Sequence, residues 1–184
     1  MPPKVKITKE RILEGALALV RRSGADALNA RDLAKFLQCS TQPIFSNFAN
    51  MEQLKQAVVK AAYDLFWQTV AQETALGKYP PYKASGMAYI HFAQTERELF
   101  QLLYMRDRSA EADSEDPETD RLVQIRLQGD MGLEEETAKR FHLEMWAVVH
   151  GCATMAATGY MPLDEELISQ SITDIYQGLK ARNA

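Results

Sequence analysis

The stretch LNARDLAKFLQCSTQPIFSNFANMEQLK, residues Leu28 to Lys55, decides the fold, because it sets Pro43 inside what otherwise reads as continuous helix. A proline in a helix interior removes a backbone hydrogen bond and clashes with the preceding turn, at about 3 kcal/mol or more. That cost vanishes in a first turn, where the N–H groups have no intrahelical acceptor. The segment therefore divides. Asn29 is an N-cap candidate with Asp32 three residues on, a carboxylate variant of the capping box, and Leu33, Ala34 and Leu37 supply the buried face of a short helix that stops near Gln38. Ser40 is the next N-cap candidate. It puts Thr41, Gln42 and Pro43 in the first turn of a second short helix, which runs through Ile44 and Phe45 to near Phe48.

Upstream, TKERILEGALALVRRSG repeats apolar residues at helical spacing (Ile12, Leu13, Ala16, Leu17, Val20), with Thr8 able to cap its start and Gly24 to end it. Two short helices joined by a tight turn after a longer supporting helix make a helix-turn-helix. Ile44 and Phe48, four apart, are expected to pack inward. Thr41, Gln42, Phe45 and Asn47 are left on an outer face of hydroxyl, amide and aromatic groups without acid, which suits DNA phosphates. A plain helical hairpin with a polar surface has the same spacing.

Charge sharpens the choice. Residues 1–60 hold ten Lys or Arg against five Asp or Glu, a net +5, while residues 61–184 hold eleven against twenty, a net −9, so the overall −4 conceals a basic head. Such asymmetry is a footprint of nucleic-acid binding by one end of a chain. The 184 residues, 46% hydrophobic and 25% charged, suffice for a real core in one large domain or two small ones. No apolar run of about 18 residues and no signal-type leader is evident, which predicts a cytoplasmic protein with no membrane partner. Cys39 and Cys152 lie far apart without metal-type spacing and are expected to remain thiols.

The stretch ILEGALALVRRSGADALNARDLA followed by CSTQPIFSNFANMEQL resembles the TetR family of bacterial transcriptional repressors, whose motif reads roughly Leu-Tyr-x-His-Phe-x-x-Lys-Glu-x-Leu. The resemblance covers about the first 60 residues. Phe45 stands where the family has tyrosine, Asn47 where it has histidine, Met51 where it has lysine and Gln38 where it has a turn glycine. With those phosphate-contacting groups altered, Lys55, Lys6 and Arg31 are expected to supply more of the phosphate attraction. The resemblance also implies a homodimer, formed as a four-helix bundle by the terminal helix pair of two subunits. Trp146 with His150-Gly151 resembles the Trp/His/Gly signature of one subgroup of TetR C-terminal domains.

The remainder reads as helix. A long helix from Met51 carries Leu54, Val58, Ala61, Ala62, Leu65 and Phe66 at helical spacing and leads out of the head. LGKYPPYKASG breaks it, and a single helix is expected over MAYIHFAQTERELFQLLYMRD. RSAEADSEDPETD is acidic and poor in apolar residues, an exposed connection ending at a helix near Glu118. Two last helices follow, over residues 135–158 and 163–182, with Ile172 expected in the dimer interface.

These observations predict an all-α protein with a helix-turn-helix DNA-binding domain in residues 1–50 and a helical effector-binding and dimerisation domain in residues 51–184. His91, His142 and His150 are scattered without metal-type pairing, and there is no phosphate loop or nucleophile elbow, so neither catalysis, metal nor cofactor is expected. The expected function is that of a ligand-responsive repressor, binding a pseudo-palindromic stretch of double-stranded DNA as a homodimer. The DNA-binding residues named by the pattern are Lys6, Asn29, Arg31, Ser40, Thr41, Gln42, Phe45, Asn47 and Lys55. For a small apolar or aromatic effector the candidates are the large side chains of Phe66, Trp67, Phe92 and Met145, with Tyr89, Tyr104, Trp146 and His150 as polar groups. A DNA-binding regulator without effector and a helical scaffold without DNA are the alternatives.

Overall fold

The computed structural model of the protein describes residues 7–106 and 132–183. Lys6, the acidic stretch after Arg106 and the helix expected near Glu118 lie outside them. The described residues form eight α-helices and one 3-10 turn, with no strand among them. In order they are α1 (Lys9–Ser23), the 3-10 turn Ala25–Ala27, α2 (Ala30–Phe36), α3 (Gln42–Asn47), α4 (Met51–Ala75), α5 (Pro81–Thr95), α6 (Arg97–Tyr104), α7 (Glu135–Thr158) and α8 (Glu165–Arg182). The all-α expectation holds.

The chain divides into two compact units, Met1–Trp67 with Glu96–Arg106, and Gln68–Thr95 with Asp107–Ala184. The division expected at residue 50 thus falls inside the first unit. Two observations account for this. Leu54, Val58, Ala62 and Phe66 of α4 are buried, and Tyr104 of α6 meets Phe66 and Tyr63 of α4 at ring-centroid distances of 5.9 and 6.1 Å. In addition, α6 packs on α1, with Leu99, Phe100 and Leu103 fully buried. The single helix expected from Met87 onward is therefore two helices broken at Glu96. There Arg21 of α1 grips the Glu96 carboxylate with two parallel bonds, Nε to Oε2 at 2.7 Å and Nη2 to Oε1 at 2.6 Å.

Local chemistry builds the first unit as the sequence suggests. The Thr8 hydroxyl accepts from the Arg11 N–H and caps α1, and Gly24 ends it at φ 79°. Gly15, costly in mid-helix, is explained by a close approach: a Cβ there would stand 2.5 Å from Leu37 Cδ2. Asn29 caps α2, its Oδ1 accepting from the N–H groups of Arg31 and Asp32 at 3.1 and 3.0 Å. After α2 the Gln38 N–H donates to Lys35 O and the Cys39 N–H to Ala34 O, which is the Schellman pattern. Gln38 takes the left-handed conformation, φ 54°, that such a turn requires and that glycine normally fills. Helix α3 starts one residue later than expected. Thr41, not Ser40, precedes it, makes no side-chain cap, and leaves Pro43 in the first turn, where it costs little.

In the second unit α5 and α7 run in the same direction and pack closely. A Cβ on Gly86 would stand 3.3 Å from Val149 Cγ2, so the small residues of α5 set the spacing. Helix α5 also begins earlier than expected, with Pro81 in its first turn. Met87, Ile90, Phe92, Phe141 and Ala153 are fully buried, and Ile168 and Ile172 of α8 close the core. Ile172 is 2% exposed within the single chain, so it belongs to the chain's own core; the large apolar side chains that α7 and α8 leave exposed are Leu143, Trp146 and Leu167. Helix α7 ends in a Schellman turn on Gly159, φ 66°, and Asp164 caps α8 through the Leu167 N–H at 2.7 Å.

Candidate DNA interface and aromatic groups

The outer face of α3 carries the helix-turn-helix chemistry. Ile44 and Phe48 are buried as expected, while Gln42 and Phe45 are exposed and Thr41 is half-buried. The Ser46 hydroxyl donates to Gln42 O at 2.9 Å and the Asn47 amide to Pro43 O at 2.8 Å, so both turn back on their own helix. Neither end of α3 carries a charge. Cations come from its neighbours: Arg31 and Lys35 on α2 and Lys55 on α4 are exposed, and none of the three forms an ion pair among the described residues.

Of the residues expected on DNA, Asn29 is committed to its cap. Its Oδ1 accepts two backbone N–H groups, and its amide donates to Asp32 Oδ2 at 2.6 Å. It holds the start of α2, where Asn29, Ala30, Arg31 and Asp32 line an open depression of about 600 Å³. Ser40 is exposed in the turn, and Asn47 is half-buried. Sequence reading passed over Lys9 and Lys35. The Lys9 ammonium sits 5.2 Å from the centre of the Phe48 ring, which brings positive charge to the end of α3. No local pattern links residues 9 and 48; the net charge of the head was the available signal.

The eight residues expected around an effector fall into two groups. Phe66, Trp67 and Tyr104 lie in the first unit, where Tyr104 also stands 5.2 Å from Phe100 and Phe66 stands 5.3 Å from Trp67. Tyr89, Phe92, Met145, Trp146 and His150 lie in the second unit. Phe92 and Met145 are core. Trp146 stacks on His150 at 4.6 Å with the rings 15° from parallel, and His150 Nδ1 shares a hydrogen bond of 2.9 Å with the Tyr89 hydroxyl. Burial lowers the His150 pKa from its ordinary value, which favours the neutral imidazole at pH 7.

Two turns earlier on both helices the arrangement recurs, with Tyr82 OH and His142 Nδ1 at 3.1 Å. Burial pushes the Tyr82 phenol well above its usual range. Lys83 donates to Ser169 Oγ at 2.7 Å and Thr173 Oγ1 at 2.8 Å, and burial lowers its pKa. Its ammonium also lies 4.9 Å from the Tyr79 ring centre. These polar pairs between α5 and its partners were not foreseen, since their members are 60 to 90 residues apart. Among the described residues no three or more His, Cys, Asp or Glu are grouped to hold a metal ion. No described helix is long and apolar enough to cross a membrane.

Comparison with known proteins places the chain. A solved TetR family member from Streptomyces coelicolor superimposes with a TM-score of 0.65 at 21% identity, covering 91% of this chain and 96% of its own. The multidrug binding protein EbrR, solved with imidazole, gives a TM-score of 0.62 at 21% identity, with 92% of each chain covered. At that identity the likeness is one of fold. No curated protein sequence matches. Residues 82–175, more than half of the 184, match the family profile described as Tetracyclin repressor-like, C-terminal domain, a span that includes Trp146, His150 and Gly151. Family profile, helical order and helix-turn-helix agree, and the chain belongs to the TetR family of transcriptional regulators.

Proposed function

We propose that the protein is a ligand-responsive repressor that binds a pseudo-palindromic operator as a homodimer, with residues 1–50 engaging DNA and residues 51–184 serving effector binding and dimerisation. The observation that carries this reading is the acid-free outer face of α3 together with Arg31, Lys35 and Lys55 on the flanking helices α2 and α4, exposed and without an ion pair among the described residues. A helix of that character suits the major groove, with Gln42 pairing an adenine and the flanking cations engaging phosphates. Ser40 and Thr41 extend the same contact, Asn29 supports it by fixing α2, and Lys6, outside the described residues, is assigned to DNA on its charge alone.

Dimerisation is supported by Leu143, Trp146 and Leu167, large apolar side chains of α7 and α8 that are 62%, 39% and 51% exposed. The effector is a small apolar or aromatic molecule. Trp146, His150 and Tyr89, stacked and hydrogen-bonded to one another, are the groups we assign to meet it, and the multidrug binding protein EbrR provides a precedent on the same fold. Its binding shifts α4, the 25-residue helix that begins in the first unit and ends in the second, so that the DNA-competent arrangement becomes less populated. The test is duplex binding across a salt series, followed by titration of aromatic compounds with and without operator. Binding that weakens with salt supports the DNA reading. Reciprocal weakening of operator and ligand supports the effector. Absence of duplex binding at low salt points instead to a helical interaction protein.

A further inference from the structure

Helix α3 presents few groups that can read a base. The donors of Ser46 and Asn47 are taken by the carbonyls of Gln42 and Pro43, and Ile44 and Phe48 are buried. Thr41, Gln42 and Phe45 remain. Phe45 is 49% exposed, a large apolar ring held outward among the exposed residues Gln42 and Ser46. We propose that Phe45 is a specificity determinant that contacts the 5-methyl group of a thymine in the operator; this rests on the DNA-binding reading of α3.

The chemistry leaves few other roles. A phenyl ring has no donor or acceptor, so it cannot bond a phosphate or the edge of guanine, cytosine or adenine. Within the major groove the thymine methyl is the apolar feature that distinguishes one base pair from another. Gln42 lies three residues before Phe45, so the two side chains emerge on one side of α3. An A·T pair offers N6 and N7 of adenine to a glutamine amide and the thymine methyl in the same groove. The pair of side chains is thus suited to A·T-containing half-sites, with the amide reading adenine and the ring reading thymine.

The experiment uses the full chain and an operator selected from a random duplex pool. Each thymine is replaced singly by deoxyuridine, which removes the methyl and leaves pairing intact, and affinity is measured by fluorescence anisotropy at fixed salt. Loss of a buried methyl contact is expected to weaken binding about three- to fivefold at one thymine per half-site. Phe45→Ala is expected to bind both forms equally, and Phe45→Leu to retain part of the discrimination. Because Phe45 is exposed, both variants should keep the parent circular dichroism, which is checked first. Uniform affinity of the parent protein for all uracil-substituted duplexes overturns the proposal while DNA binding stands. So does undiminished uracil sensitivity in Phe45→Ala, which would assign the methyl contact to another residue. Failure to select any duplex overturns the DNA reading and this inference together.

Discussion

The two units of the chain treat their polar side chains in opposite ways. In the first, polar groups cap helices or face solvent, and apart from the Arg21–Glu96 pair almost every side-chain bond spans four residues or fewer. In the second, Tyr82, Lys83 and Tyr89 of α5 reach α7 or α8 across 60 to 90 residues, next to an apolar core. A unit that presents its chemistry outward is built largely by local rules, with α6 as the exception that long-range packing places. A unit whose polar pairs lie between helices depends on the packing that brings those helices together.

The sharpest way to test this contrast is to charge the second unit in two places. Ile172→Glu puts a carboxylate into a site 2% exposed, which is expected to destabilise by on the order of 5 kcal/mol. Leu143→Glu, at a side chain 62% exposed, should leave the fold intact and act only on the proposed dimer. Urea unfolding and sedimentation separate the two outcomes; a folded monomer from Ile172→Glu would return that residue to the interface. Next in size, Phe100→Ala should cost about 3–5 kcal/mol and raise hydrogen exchange in α1, because α6 belongs to the first unit. Exchange confined to α5 would contradict that division.

Smaller effects probe the polar pairs. Glu96→Ala removes the partner of Arg21, whose side chain is 41% exposed, and is expected to cost less than about 1 kcal/mol, seen as a small shift in urea midpoint. His150 gives the smallest and most specific signal. Its folded pKa lies below the ordinary 6.5, so the unfolded chain binds the proton more readily. Stability is then complete above the ordinary value and is lost as pH falls through it toward the folded pKa. Thermal melts between pH 7.5 and 5.5 should show the decline, and His150→Gln should remove that part of it.

The head was legible because its signals are short-range. Thr8, Asn29 and Gly24 cap the helices they were expected to cap, and Pro43 sits in a first turn. What the periodicity of a single segment does not carry is where a helix ends for a tertiary reason. At Glu96 the chain turns so that Leu99, Phe100 and Leu103 of α6 are buried in the first unit, where Arg21, 75 residues earlier, pairs with the Glu96 carboxylate. The same limit applies to the aromatic residues. Helical spacing marks Phe92 and Trp146 alike as apolar stripe, and only packing separates a fully buried ring from one stacked on a histidine at the surface. Ile172 and Leu167 on α8 differ in the same way, since a helix with two partially apolar faces does not declare which one its own chain covers.

Gln38 gives the elbow between α2 and α3 an unusual stiffness. Holding a non-glycine residue at φ 54° costs about 1 kcal/mol or more of backbone strain. Glycine would relieve that strain but would lose about 0.5–1 kcal/mol more backbone entropy on folding. The two nearly cancel in stability and differ in breadth of motion, because glycine admits many more conformations at the joint. The elbow is therefore a preset angle with few alternatives to freeze out when something docks against α3. Gln38→Gly should leave the melting temperature almost unchanged, yet quicken exchange of the Cys39 N–H that closes the turn on Ala34.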